Sequence, residues 1–396
     1  MPNPTYTSFL GIAKETTKRT AQAAVDFLPV KTMTPLDHQV YLPDTGMRGS
    51  QVMNYGQIAG VTWAEYDFAG DVFPDTFGYP LAGVLGDVTT TAGTAAGASG
   101  TLAAASVVGA TTVSSSVSYP AGTLVQIDVG ALAEVVTTNA APVGTGPFTI
   151  GVPALVRAHA SGVAIAAVGT ANTHAIAVRN TGDGQPPSYT FSDYNAMTTR
   201  QFAGAQFSDV GILFTAEGML NYTAKAKALA SVPGAQPPKS YTSVPPLAVW
   251  RGAITVAGAA DLTILDGTCD IKRNIDAIHT IDGTAPVYNL WAGAVAVSGK
   301  LAVIAETEAH LLNYLNNLQP SLDISFQQGV GAQQNGLQLH MSKAAYLTGQ
   351  INRGKDYIQV DVTYEAVANT SDVGASAGYS PIKATITSAK AAGTYA

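Results

Sequence analysis

Charge is scarce in this chain, and cysteine is scarcer. Asp, Glu, Lys and Arg together make up 12% of the 396 residues, and Cys269 is the only cysteine. One cysteine excludes an intrachain disulfide and any zinc site built on thiolates. Its ordinary reading is a small buried hydrophobe. The histidines (His38, His159, His174, His279, His310, His340) are scattered, with no H-x-x-x-H or H-E-x-x-H spacing, so no zinc site is expected. No apolar run approaches the ~18 residues that a membrane-spanning helix needs. The opening MPNPTYTSFLGIAKETTKRT lacks the charged-then-apolar order of a secretory signal. The expectation is therefore a protein made in the cytoplasm, with no membrane partner.

Catalytic signatures are missing as well. GAVAVSGK (Gly293 to Lys300) has the outline of a phosphate-binding loop, but its spacing is one residue too long. Leu301 stands where Ser or Thr would hold magnesium. The same segment alternates as a strand. Asp261, Asp266, Asp270, Asp276 and Asp282 crowd one region without the alternating ligand loop that calcium needs, and read as turn aspartates. No G-x-S-x-G elbow is present, and no Ser/His/Asp set stands out. The expectation is no enzyme, no cofactor and no metal. Lys14, Lys18 and Arg19 form a short basic cluster, read as a solvated segment or an intersubunit contact. Trp63, Trp250 and Trp291 are read as core or interface anchors.

What the chain does have is apolar, glycine-rich and β-prone. Hydrophobic residues reach 46%, and there are forty glycines, so a mainly β fold with sizeable cores is expected. The net charge of −7 argues against a surface that grips nucleic-acid phosphates, and suits one that nucleic acid slides past. One pattern occurs twice: an alternating strand, a short apolar helix, then β-rich sequence. In the first half Thr62, Ala64, Tyr66 and Phe68 fall on one face, with Trp63, Glu65 and Asp67 on the other. Phe77, Leu81, Val84 and Leu85 then take helical spacing, with Gly86 as the C-terminal cap and Pro80 limiting the start. In the second half Ala292–Ile304 is the strand. Thr307 would cap a helix whose buried stripe is Leu311, Leu312 and Leu315. Late strands follow in both halves. Leu220, Tyr222, Ala224 and Ala226 alternate with Asn221, Thr223, Lys225 and Lys227; Ile358, Val360, Val362 and Tyr364 alternate with Gln359, Asp361, Thr363 and Glu365.

Residues 88–127 carry no charged side chain and are rich in Thr, Ser, Ala and Val. With the short strands after them they read as a small β domain inserted into the first unit. The proline-dense SVPGAQPPKSYTSVPP separates the halves. The expected organisation is a discontinuous first unit (1–87 and 176–245), an inserted β domain (88–175) and a second unit (246–396).

At these residues a resemblance emerges. FLGIAKETTKRTAQAAVDFLPV, the GMRGS turn, FAGDVFPDTFGYPLAGVLG and the closing DYIQVDVTYEAVANTSD with GYSPIKATITSA are similar to major tail tube proteins of long-tailed, siphovirus-like bacteriophages. The likeness covers residues 5–87 and about 185–390, in order and texture; the insert departs from it and resembles the extra surface domains such proteins carry. The resemblance implies a β-sandwich or barrel unit flanked by a short helix, which the repeated pattern of this chain would duplicate. It also implies self-assembly into stacked rings that form the conduit for genome delivery. Expected partners are further copies of the chain and other tail proteins (tape measure, terminator, distal tail), with DNA passing without specific binding. Two units per chain would make three chains a pseudo-sixfold ring; without the duplication, six chains would build it. Glu65, Asp67, Asp361 and Glu365 are the candidate lumen-facing residues, where acidic groups would repel DNA, although Lys225 and Lys227 lie on a comparable strand. The alternatives are a terminator or distal tail protein, an immunoglobulin-like adhesin or carbohydrate-binding module, and a tail-associated glycan hydrolase.

Overall fold

Strand alternation dominates the chain, and the molecule is mainly β with two α-helices among its described residues. The computed structural model describes residues 4–129, 132, 134–195, 197–236 and 238–396. In chain order the first part holds β1 (Phe9–Lys14), β2 (Asp26–Leu28), the long hairpin β3 (Thr32–Asp44) and β4 (Gly56–Asp71), α1 (Gly78–Leu85) and β5 (Gly86–Thr91). Six short strands follow: β6 (Ser99–Thr101), β7 (Thr112–Ser115), β8 (Leu124–Ile127), β9 (Glu134–Thr137), β10 (Phe148–Gly151) and β11 (Ala164–Ala167). Then come β12 (Asn172–Val178), β13 (Tyr189–Asn195), β14 (Thr198–Thr215), β15 (Asn221–Ala228) and β16 (Val232–Gly234). The last part has β17 (Gly252–Val256), β18 (Ala259–Ala260), the long hairpin β19 (Ile264–Ile278) and β20 (Asn289–Ile304), and α2 (Ala309–Leu315). It closes with β21 (Leu322–Gln328), β22 (Asn335–Met341), β23 (Ala344–Asn352), β24 (Gln359–Ala366) and β25 (Lys383–Ser388).

Two sheets enclose the main core. The larger contains the continuous antiparallel path β3-β4-β15-β14-β19-β20-β24-β23. β14 is 18 residues long; its first half pairs instead with β13 and β16. Between the two halves sits Gly204 at φ +69°, a left-handed conformation that a β-carbon disfavours. The second sheet runs β18-β17-β21-β22-β25-β12-β5. One apolar cluster joins Phe207, Ile212, Cys269, Val297 and Tyr364 of the larger sheet to Ile324, Leu339, Ile386 and Ile176 of the second. The result is a β-sandwich whose two sheets each draw strands from both halves of the chain.

The larger sheet repeats itself. β3-β4-β15-β14 and β19-β20-β24-β23 have the same strand order, and β4 and β20 are both 16 residues long. Their irregularities also correspond. The first hairpin shifts register between Gln39 and Tyr41, the second between Arg273 and Ile275. The β14–β15 pair shifts between Phe207 and Asp209, and the β23–β24 pair between Tyr346 and Thr348. A bulge is a local feature set by its own residues, so its recurrence at matching places marks two copies of one unit.

The helices differ in environment. All eight residues of α1 are buried, and Gly86 ends it at φ +96°, the expected glycine cap. α1 packs on β14, β12, β5 and β19, and the ring of Tyr395 lies against Gly78. In α2 only His310 is buried, and Leu312 and Leu315 are 42% and 63% exposed. The expected buried stripe is thus corrected: this helix rests mainly on β23 and β24 and nothing covers its far side. Ile358, expected inward, is also exposed, lying just outside β24.

Residues 99–167 form two small sheets, β6-β11-β8-β9 and β10-β7, around their own cluster of Leu102, Val113, Tyr119, Val125, Ile127 and Ile150. They join the body through β5 and β12, which pair side by side, so 88–91 and 172–175 lie in the second sheet. Where the two connecting chains cross, a β-carbon on Gly93 would stand 1.9 Å from the Thr170 carbonyl oxygen, and one on Gly169 2.2 Å from that of Thr94. Glycine is what permits this neck.

Candidate functional site

The candidate site is the outer face of the larger sheet. Alternation places Tyr66, Ala224, Ile271 and Tyr364 in the core and sends their neighbours outward. Cross-strand register then builds rows on the outer face. Asp67 lies opposite Lys225, Lys225 opposite Asp209, and Asp209 opposite Lys272. A second row runs Gly211, Asp270, Ser298, Glu365, and a third sets Ala302 beside Asp361. Glu65, Asp67, Asp361 and Glu365 therefore share one face of one sheet, the first two in one repeat and the last two in the other.

Their electrostatics differ. Lys225 Nζ is 3.9 Å from Asp67 and Lys227 Nζ 4.0 Å from Glu65, loose exposed pairs that hold the β4 side near neutrality. Asp361 accepts hydrogen bonds from Asn352 Nδ2 at 3.1 Å and from the Gln359 amide. Glu365 is exposed and has no ion pair among the described residues. The face is thus of mixed sign, more acidic toward β24.

Two constellations carry residue types found in catalytic sites, each engaged in hydrogen bonds with its neighbours. His310 Nε2 lies 2.6 Å from Asp261 Oδ2 beside a cleft of 480 Å³. Its other nitrogen faces the Tyr346 hydroxyl at 3.2 Å, so no alcohol or thiol nucleophile stands on the imidazole. Burial pushes the Tyr346 phenol up to about 12. The hydrogen bond from His310 holds the Asp261 carboxyl down to about 2 against its burial, with Thr263 assisting. The depressed value means the contact stabilises the fold above about pH 4 and is lost as pH falls toward 2. Asp261→Asn should cost on the order of 2 kcal/mol at pH 7, with the difference vanishing near pH 2. Urea unfolding at the two pH values checks this; an equal deficit at both would refute it. In the inserted sheets, buried His159 lies 3.5 Å from Asp128 and 3.2 Å from Glu134. Burial pushes Glu134 up, but the N–H groups of Val156 and Arg157 and the His159 ring outweigh it and hold the carboxyl below its usual value.

The remaining sequence candidates resolve individually. GAVAVSGK lies inside β20. Cys269 is fully buried, and burial pushes its thiol up to about 12, an unreactive state. Asp266, Asp270 and Asp276 are spread along β19, and no group of three or more His, Cys, Asp or Glu among the described residues could hold a metal. Of the basic N-terminal cluster, Lys14 is exposed, Lys18 pairs with Asp183 at 3.4 Å, and the Arg19 guanidinium donates to the carbonyls of Val287 and Tyr288. Trp63 stacks on His38 at 4.8 Å, while Trp250 and Trp291 are exposed. No helix among the described residues is long and apolar enough to cross a membrane.

Sequence reasoning missed the groups that join the two repeats. Arg273, 7% exposed, donates to the carbonyls of Gly293 (2.7 Å), Val84 (3.2 Å) and Gly184 (3.0 Å). Gln185 exchanges two hydrogen bonds with the backbone of Ala292. Neither residue stands in a recognisable motif; a charged residue at an inward position of an alternating strand was the one available signal.

The chain presents a repeated β-sandwich with a broad polar sheet face. Residues 175–366, from β12 through β24, match the family described as phage tail tube protein. The match spans just under half of the chain and is a likeness to that family. No curated protein matches the chain.

Proposed function

We propose that this chain is the repeating subunit of the tail tube of a long-tailed bacteriophage. Copies close into rings, the rings stack, and the genome passes through the channel on its way into the host. The observation that carries this reading is the larger sheet, with its core-packed inner face, its polar outer face spanning two repeats, and an unpaired strand at each end. Such edges invite pairing with another chain, and a repeated head-to-tail contact closes when the rotation permits. With two repeats per chain, three chains make a pseudo-sixfold ring. The polar face then lines the channel, with Glu65, Asp67, Asp361 and Glu365 among its residues. Its acidic groups repel phosphates, and its lysines, paired or interspersed, offer no continuous basic track. The inserted sheets, on their glycine neck, project from the opposite side as a separate outer domain. Tape-measure, terminator and distal tail proteins are the partners at the tube's length and ends.

Electron microscopy of the purified full chain at high concentration tests the proposal. Hollow tubes with three chains per ring are expected. Six chains per ring would remove the pseudo-sixfold arrangement, single rings alone would favour a terminator or distal role, and monomers under every condition would overturn the reading. Asp361→Lys with Glu365→Lys should leave tubes intact and slow DNA delivery; unchanged delivery would remove these residues from the channel lining.

A further inference from the structure

The contact that joins the two repeats inside one chain is a template for the contact between chains. Within the chain β14 pairs with β19, setting Gly211 opposite Asp270 and Leu213 opposite Thr268. The bulges make β23 the counterpart of β14 and β3 the counterpart of β19. In a single chain both counterparts are free edges of the larger sheet. The helices carry the same asymmetry. α1 is wholly buried and touches β19, whose Arg273 holds the Val84 carbonyl in its last turn. α2 lies bare, and the hairpin that would cover it by analogy, β3–β4, is unsupported along its outer half. There Tyr41, Leu42 and Ile58 are 55%, 55% and 70% exposed.

We propose that β23 of one copy pairs antiparallel with β3 of the next, with Gln350 opposite Leu36 and Asn352 opposite Thr34, while the β3–β4 arm of that neighbour lies over α2. The partner is a second copy of this chain, because the missing surface is the one the chain already supplies to its own first repeat. On the face that carries Gln39 the arm brings Tyr41 and Pro43 to Leu312 and Leu315, while Leu42 and Ile58, directly opposed across the hairpin, lie on its other face. Gln39, at the position corresponding to Arg273, brings a side-chain donor toward the end of α2. Pro35 lacks an N–H, which limits indiscriminate pairing of this edge. The inference rests on the tube reading and adds to it which strands meet, in which register and under which arm.

The test is a disulfide in the full-length chain carrying Leu36→Cys and Gln350→Cys. The two positions lie at opposite ends of the strand path, so only a bond between chains can form, and buried Cys269 does not compete. Oxidation should give a covalent ladder on a non-reducing gel. Each single variant should give none, and Asp37→Cys with Gln350→Cys, on opposite sheet faces, little. Rings visible by microscopy without the ladder would overturn the joint and leave the tube reading standing; absence of any wild-type assembly would overturn both. Leu315→Glu provides a second arm. As an exposed position it should keep the circular-dichroism spectrum and melting temperature of the wild type while abolishing rings. Rings at wild-type yield would overturn the placement of the arm over α2.

Discussion

Phe207→Ala should destabilise the protein by about 3–5 kcal/mol, the largest effect expected of a single core truncation. Phe207 is fully buried on β14, at the first of the corresponding bulges. Its ring meets Phe68, Tyr189 and Phe191 edge-on, with centroids 6.0, 5.7 and 5.6 Å away. α1 crosses directly over it, so closely that a β-carbon on Gly83 would stand 2.2 Å from the ring. Removing the ring therefore opens a cavity between helix and sheet, and the rigid edge-to-face neighbours limit collapse. Phe207→Leu, which keeps most of the volume, should cost less than about 2 kcal/mol. Urea midpoints of the two variants decide the matter; a loss below about 1 kcal/mol for alanine would show that the site collapses freely.

The second large effect is expected at Glu15, a carboxylate only 6% exposed. Its Oε1 accepts from the Thr190 hydroxyl at 2.9 Å and the Gly204 N–H at 2.6 Å. Oε2 accepts from the Ser188 hydroxyl at 2.6 Å and the Arg19 N–H at 2.7 Å. One side chain thus ties the segment after β1 to β13 and to the bend of β14. Glu15→Ala leaves these donors without a common acceptor, and buried donors so stranded cost about 1–3 kcal/mol each before relaxation; a loss of about 3–5 kcal/mol is expected. Glu15→Gln keeps one acceptor oxygen but turns an NH₂ toward two donors, and should fall between the wild type and alanine. Chemical denaturation of the three proteins checks the order, and equal stability of Glu15→Ala and wild type would refute the account.

The alternation of Ala64, Tyr66 and Phe68 with Glu65 and Asp67, and of Val360, Val362 and Tyr364 with Asp361 and Glu365, assigned faces correctly because a strand's side chains alternate whatever it pairs with. α1 and its Gly86 cap were legible for the same local reason. The sequence by itself therefore determined strand faces, the first helix, and the placement of four acidic residues away from the core. It did not determine that β25 slots between β22 and β12, that β14 and β19 weld the repeats, or that Leu312 and Leu315 lie exposed on α2. It also left Arg273 and Glu15 looking like ordinary surface charges. Only the tertiary structure decided these, because period-two patterns fix which face a residue takes and leave its cross-strand partner open. The partner depends on strands far apart in sequence, and a buried charge depends on carbonyls and N–H groups that no side-chain pattern encodes.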